Sequence, residues 1–188
     1  MTPLSALWLP ILVAAVLVFV ASSIVHMGPF WHRSSYPRLK NEDEVLKALR
    51  PLSLQPGDYM FPRAPSMAEM KQPEHIAKLE QGPVAVITVF PNGADFGMGK
   101  QLVTWFVFCL VVGLFSGYIA GTTLAPGTPY LRVFQVVGAT AFMGYSLALY
   151  ELSIWYRRGW DLTLKGMLDG LIYACVTAGA FGWLWPAA

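Results

Sequence analysis

QLVTWFVFCLVVGLFSGYIAGTTLAPGTPYL, residues 101–131, decides the fold. The stretch follows Lys100 and carries no charge before Arg132. About 20 apolar residues cross the ~30 Å hydrocarbon core of a bilayer, and this run is longer than that. Pro126, Gly127 and Pro129 break it near Leu124, because proline has no amide to donate and clashes with the preceding turn. The run therefore holds the whole of one membrane helix and the start of another.

The same reading extends outward. Upstream, LSALWLPILVAAVLVFVASSIVHM (residues 4–27) contains no Lys, Arg, Asp or Glu. It has no basic n-region and is longer than a signal-peptide core, so it reads as an uncleaved spanning helix despite a weak cleavage site at Ala21-Ser22-Ser23. Downstream, a third run between Arg132 and Glu151 continues to Trp155, and a fourth follows Lys165 and ends at Trp185-Pro186. Lipid offers no partner for backbone amides and carbonyls, so each crossing must be a helix. The expected fold is mainly α, a four-helix transmembrane bundle with a small membrane-proximal α+β subdomain inserted between the first and second helices. Residues 1–27 are the first transmembrane helix, 28–100 a cytoplasmic α+β segment, and 101–188 a three-helix transmembrane portion that completes the bundle.

Composition points the same way. The 188 residues are 55% hydrophobic and 13% charged, against about 45–50% and 25% in soluble domains. A disordered chain and an ordinary cytosolic enzyme domain are excluded. Thirteen basic residues nearly balance 11 acidic ones, which leaves no footprint for nucleic acid. Cys109 and Cys175 sit in apolar runs as small hydrophobes, not as a disulfide framework.

Basic residues set the orientation. Arg33, Arg38, Lys40, Lys100, Arg157, Arg158 and Lys165 fall on one side, and Arg132 alone on the other. The 28–100 segment is therefore expected in the cytoplasm and both termini outside. Trp8, Trp183 and Trp185, with Tyr130, fall at the external boundary, and Trp31, Trp155 and Trp160 at the cytoplasmic one, where indole rings anchor at headgroup depth. Gly113, Gly117 and Gly121 recur every fourth residue in the second helix, Gly166, Gly170 and Gly182 lie on a similar stripe in the fourth, and Gly144 stands in the third. Small faces of this kind let helices approach closely, which predicts contact between the second and fourth helices, or docking of one stripe on a partner.

Between the first two crossings, Asn41 caps a short helix with Glu44 three residues on, and Pro51 ends it. A short strand is expected at 59–61, a capping box at Ser66–Glu69, a helix from Pro73 to Gln81 stopped by Gly82, and a strand over 84–90. A lone strand pair is marginal in water, so the bilayer surface or a partner is expected to support it.

Few residues carry chemistry. Gly93–Gln101 imitates a phosphate loop but has Ala94 and Gln101 where the pattern needs Gly and Ser or Thr. Glu151 and Asp169 are the carboxylates nearest the bilayer interior, and an ionisable group there is a functional candidate by default. His26 ends the first helix on the same side, so His26, Glu151 and Asp169 form a candidate polar cluster able to bind a divalent metal or relay a proton. The alternative is a set of boundary ion pairs, with Arg157, Arg158 and Lys165 as neutralising partners. His32 and His75 read as single histidines. No catalytic triad and no metal-spaced motif occurs, so no catalytic residue, cofactor or metal is assigned.

Leu164-Lys165-Gly166, Asp169-Gly170-Leu171-Ile172-Tyr173 and Ala180-Phe181-Gly182-Trp183-Leu184-Trp185-Pro186 resemble a family of small uncharacterised bacterial multi-pass inner-membrane proteins. So do Pro56-Gly57-Asp58-Tyr59-Met60-Phe61-Pro62 and Ser66-Met67-Ala68-Glu69-Met70. The resemblance covers most of the chain and implies a bacterial inner membrane, with no activity to transfer. The leading expectation is a non-catalytic accessory or scaffolding subunit of a larger membrane complex, a respiratory or photosynthetic one being an example. Its partners are the lipid bilayer and another membrane protein or a second copy, with no nucleic acid. A small transporter or channel, and a membrane enzyme using the boundary carboxylates and histidine, stand as alternatives.

Overall fold

Residues Leu4–Met27, Gly99–Thr123, Tyr130–Trp155 and Trp160–Trp183 form four helices of 24 to 26 residues, each long and apolar enough to cross a membrane. At 1.5 Å per residue the shortest reaches about 36 Å, enough for the ~30 Å core. The computed structural model describes residues 1–28, 31–93 and 97–188, with Trp31 described by its backbone alone. In chain order the elements are α1 (Trp8–Met27), α2 (Glu42–Leu49), β1 (Gly57–Phe61), α3 (Pro73–Gln81), β2 (Ala85–Val89), α4 (Gly99–Thr123), α5 (Tyr130–Phe142), α6 (Leu149–Trp155) and α7 (Trp160–Trp183). A 3-10 turn, Leu4–Leu7, leads into α1, and a π-helical turn, Met143–Leu147, lies between α5 and α6 within the third crossing. This is the architecture of a multi-pass, mainly helical membrane protein. The chain divides into two compact units, Met1–Pro37 with Gly97–Ala188, and Arg38–Phe96.

In the first unit α1 packs on α4 and α7, and α5 packs on the same two helices. The cyclic order is α1, α4, α5, α7, so α4 and α7 are diagonal partners rather than the close neighbours that their small-residue stripes predict. The reason is visible at each glycine. A side chain at Gly113 would meet Ile11, one at Gly121 would meet the Thr2 carbonyl and Leu7, and one at Gly117 would meet Ile11 and Phe181. The α4 stripe thus receives α1, with Phe181 alone reaching it from α7. On α7, Gly166 faces Leu149, Gly170 faces Tyr145 and Ser146, and Gly182 faces the Tyr130 ring. That stripe receives the third crossing, whose own Gly144 admits Val112 of α4. Spacing reveals that a helix face is tight, but not which neighbour fills it.

The bundle has two apolar layers. Leu7, Ala14, Leu124, Val133, Val137, Ala178 and Phe181 form one. Ala15, Val18, Cys109, Val112, Ala141, Tyr145, Tyr173 and Ala174 form the other, with Trp105 and Phe106 against it. At the end of the first layer, Thr2 donates its amide to the Gly121 carbonyl (2.8 Å) and its hydroxyl to that of Leu124 (3.0 Å). Both carbonyls lie where a helix end lacks internal donors. Nearby, half-buried Trp185 donates its indole N–H to the Ala125 carbonyl at 3.0 Å. Trp8, Trp155, Trp160 and Trp183 are exposed; the Trp31 side chain lies outside the described residues.

In the second unit β1 and β2 pair antiparallel, Tyr59 opposite Ile87, and the Thr88 hydroxyl donates to the Asp58 carboxylate at 2.6 Å. The Ser66–Glu69 box forms, but caps a 3-10 turn, Glu69–Lys71, instead of α3. Asn41 donates to the Glu44 carboxylate at 3.1 Å and does not cap the α2 amides. No described residue of this unit is buried. The phosphate-loop-like stretch 93–101 includes residues 94–96, outside the described residues.

The same substitution at two ends of α4 separates packing from helix propensity. Gly121→Ala drives a methyl into the Thr2 carbonyl, 2.6 Å away, whereas Gly99→Ala meets nothing within 4 Å. In detergent unfolding, Gly121→Ala is expected to cost about 1–3 kcal/mol. Gly99→Ala is expected to be neutral or stabilising by up to about 1 kcal/mol.

Candidate functional site

The site starts with one expensive group. Asp169 lies in the middle of α7 and is 4% exposed. A buried carboxylate needs a partner, because leaving water costs several kcal/mol. That partner is His32, whose Nε2 lies 2.8 Å from Oδ2 of Asp169.

His32 is carried to Asp169 by residues 31–36. A short 3-10 turn, Trp31–Ser34, is followed by a hydrogen bond from the Ser35 amide to the His32 carbonyl at 2.9 Å. This strap is pinned at two further points. Lys165 donates to the Ser34 hydroxyl at 2.9 Å, and Arg158 donates to the Tyr36 hydroxyl at 3.3 Å. Two of the basic residues that sequence reasoning assigned to neutralising carboxylates, Arg158 and Lys165, thus bond to the strap that carries His32.

His26, in the last turn of α1, completes the group. Its ring centroid is 4.6 Å from that of His32, and its Nε2 is 3.4 Å from the Tyr173 hydroxyl. One ligand atom each from His26, His32 and Asp169 lie within 4.8 Å of one another. The structure therefore brings together His26 and Asp169, two of the three residues singled out in the sequence. Glu151 is exposed on α6 and does not belong to this trio. His32, read as a single histidine, takes the third place. Its only signal in the sequence was proximity to His26 just past a helix end.

Aromatic rings and a break in helical regularity form the floor. Trp105, Tyr145 and Tyr173 pack against one another with centroids 5.7 to 6.3 Å apart. The π turn carries Tyr145 and Ser146 against Gly170, where any Cβ would collide with the Ser146 hydroxyl. Such bulges insert an extra residue into a helix and recur at functional sites. On the α1 side, the Trp105 indole N–H donates to Ser22 at 2.8 Å. Buried Ser153 and Thr163 share a 2.6 Å hydrogen bond between α6 and α7.

These groups enclose a cavity of about 410 Å³. Its wall carries His26, His32 and Asp169 on one part, Trp105, Tyr145 and Tyr173 on another, and Arg158, Ser35 and Tyr36 at the strap. The buried Ser35 Oγ has no hydrogen-bond partner among the described residues. The cavity thus offers two imidazoles, a carboxylate, phenol and hydroxyl groups, and one guanidinium. It suits a polar ligand far better than a lipid tail.

The pair can be tested by a double-mutant cycle. His32→Leu takes the ion-pair partner from a buried carboxylate and is expected to cost about 3–5 kcal/mol. His32→Leu with Asp169→Leu removes both polar partners and is expected to cost clearly less than the sum of the two single changes, measured by thermal unfolding in detergent.

Compared with protein-family models, curated proteins and solved structures, the chain matches none.

Proposed function

We propose that this protein is an integral membrane enzyme whose reaction takes place in the cavity at the His26 end of the bundle. The observation that carries this reading is buried Asp169 with the half-buried His32 at 2.8 Å, facing a cavity of about 410 Å³. A carboxylate against an imidazole fixes the ring's orientation, an arrangement suited to moving protons. Arg158 on the wall favours a substrate with an anionic group. Ser35 and Tyr173 supply hydroxyls to orient it. This reading keeps His26 and Asp169 from the sequence and puts His32 in place of Glu151.

The accessory-subunit reading stands second. Its first motive, a free small-residue stripe, weakens because the stripes on α4 and α7 are filled from within the bundle. A different observation favours it: Val45, Leu46 and Leu49 on α2, and Ile76 and Leu79 on α3, are exposed apolar residues. Those faces suit a partner or a bilayer surface.

The setting we propose is a bacterial inner membrane, with the inserted 38–96 unit membrane-proximal in the cytoplasm and both termini outside. The basic residues near helix ends support that orientation. A single cysteine introduced as Lys47→Cys is then expected to react with an impermeant maleimide only after the inner membrane is opened. Labelling in intact spheroplasts would invert the topology.

For the enzyme reading, cells lacking the chromosomal copy are complemented with variants, and their polar metabolites and lipids are profiled. Asp169→Asn and His32→Gln are expected to reach normal membrane levels yet leave the deletion profile unrepaired. Glu151→Gln is expected to restore it. Full restoration by all three would remove the enzyme reading and leave the accessory one.

A further inference from the structure

We propose that His26, His32 and Asp169 bind one divalent transition-metal ion, of the zinc or iron(II) class. The inference rests on the cavity being the working site and names what that site holds.

The argument begins with what the His32–Asp169 pair does not need. The Asp169 carboxylate already has a polar partner in the His32 nitrogen 2.8 Å away. A second imidazole beside it contributes nothing to that pair. Were both rings protonated, they would repel at a centroid separation of 4.6 Å. As neutral ligands, the two rings and the carboxylate instead form a recognised donor set. Two imidazoles and one carboxylate are the protein ligands of several catalytic zinc sites and of non-haem iron(II) sites. Calcium and magnesium want more oxygen ligands than one carboxylate supplies.

Geometry agrees. Metal–ligand bonds of about 2.0–2.2 Å place the donors of a tetrahedral site about 3.4 Å apart. The three donor atoms here lie within 4.8 Å of one another, so small side-chain rotations that open the 2.8 Å His32–Asp169 contact and draw in the longer distances would form the set. They come from the end of α1, from the strap and from α7, three separate parts of one compact unit. The polar cavity adjoining them leaves a coordination position open to water or substrate. A divalent ion with one carboxylate leaves a net positive centre. Together with Arg158 it would draw an anionic group into the cavity.

The experiment uses the full chain in nanodiscs, purified without a polyhistidine tag. Zinc binding is followed by calorimetry and Co²⁺ binding by its visible absorption. The wild type is expected to take up one equivalent of either ion. Asp169→Asn and His32→Gln are expected to weaken binding more than about 100-fold, the upper end of what even an outer-shell partner contributes. His26→Gln tests the same point at an exposed position, where the bundle keeps its unfolding midpoint. Glu151→Gln is expected to bind as the wild type does. Failure of the wild type to bind either ion, or equal binding by the three ligand variants, would overturn the metal. If the metal fails while Asp169→Asn still cannot complement, the cavity remains the working site without an ion. If the ion binds but the ligand variants complement fully, the metal site stands as structural and the enzyme reading falls.

Discussion

An ionisable side chain buried inside a membrane helix imposes a demand on everything around it. Asp169 must have hydrogen-bond donors or charge partners within reach, and the hydrocarbon around a bundle supplies none. The structure meets the demand with His32 on its strap, the ring Nε2 lying 2.8 Å from the carboxylate. Fixing that strap requires donors on the opposite wall. Lys165 and Arg158 provide them, through Ser34 and Tyr36. Gly166 and Gly170, on the two sides of Asp169 along α7, bring the third crossing close enough to close the floor. Much of the bundle's irregularity is concentrated around this one carboxylate.

That concentration explains what could be read from the residues alone. The four crossings were legible because lipid converts hydropathy directly into helices, and because proline and glycine at 126–129 mark the break. The α3 helix and the β2 strand were legible from local signals: Pro73 at a helix start, Gly82 at its end, and a β-branched run. Asp169 and His26 stood out because polar groups near apolar runs are conspicuous. His32 did not, because its role depends on contact with Asp169, a residue far away in the chain. Glu151 was over-read for the same reason. It sits at the correct depth, but on an outward face of α6 that helical depth alone cannot distinguish from an inward one.

The helix order shows a similar limit. Small residues every fourth position reveal that a face admits a close neighbour, and both α4 and α7 carry such a face. Their mutual contact was the economical inference, yet a four-membered ring offers each helix two adjacent neighbours and one diagonal one. Bulk chooses between them. Ile11 and Leu7 of the first crossing fill the α4 stripe, and Leu149, Tyr145 and Tyr130 of the third fill the α7 stripe. Across the diagonal, Phe181 reaches the α4 stripe and Tyr173 meets Trp105.

A purely structural role for the polar end is hard to reconcile with its cost. A bundle that needed only stability would do as well or better with apolar side chains at 32 and 169, since buried ion pairs are commonly matched or exceeded by hydrophobic replacements of similar volume. The ring of Trp105, Tyr145 and Tyr173 beneath the pair shows that bulky aromatic packing is available at this depth. Yet the same layer stops short of filling the space above it, and leaves about 410 Å³ lined by groups that bind protons, anions or metals. A π turn, a strap held by two basic residues and a glycine at the tightest contact all serve to keep that space shaped. The other half, from Leu7 to Phe181, is a largely apolar layer. The reaction proposed for this end would account for the difference between the two halves of one bundle.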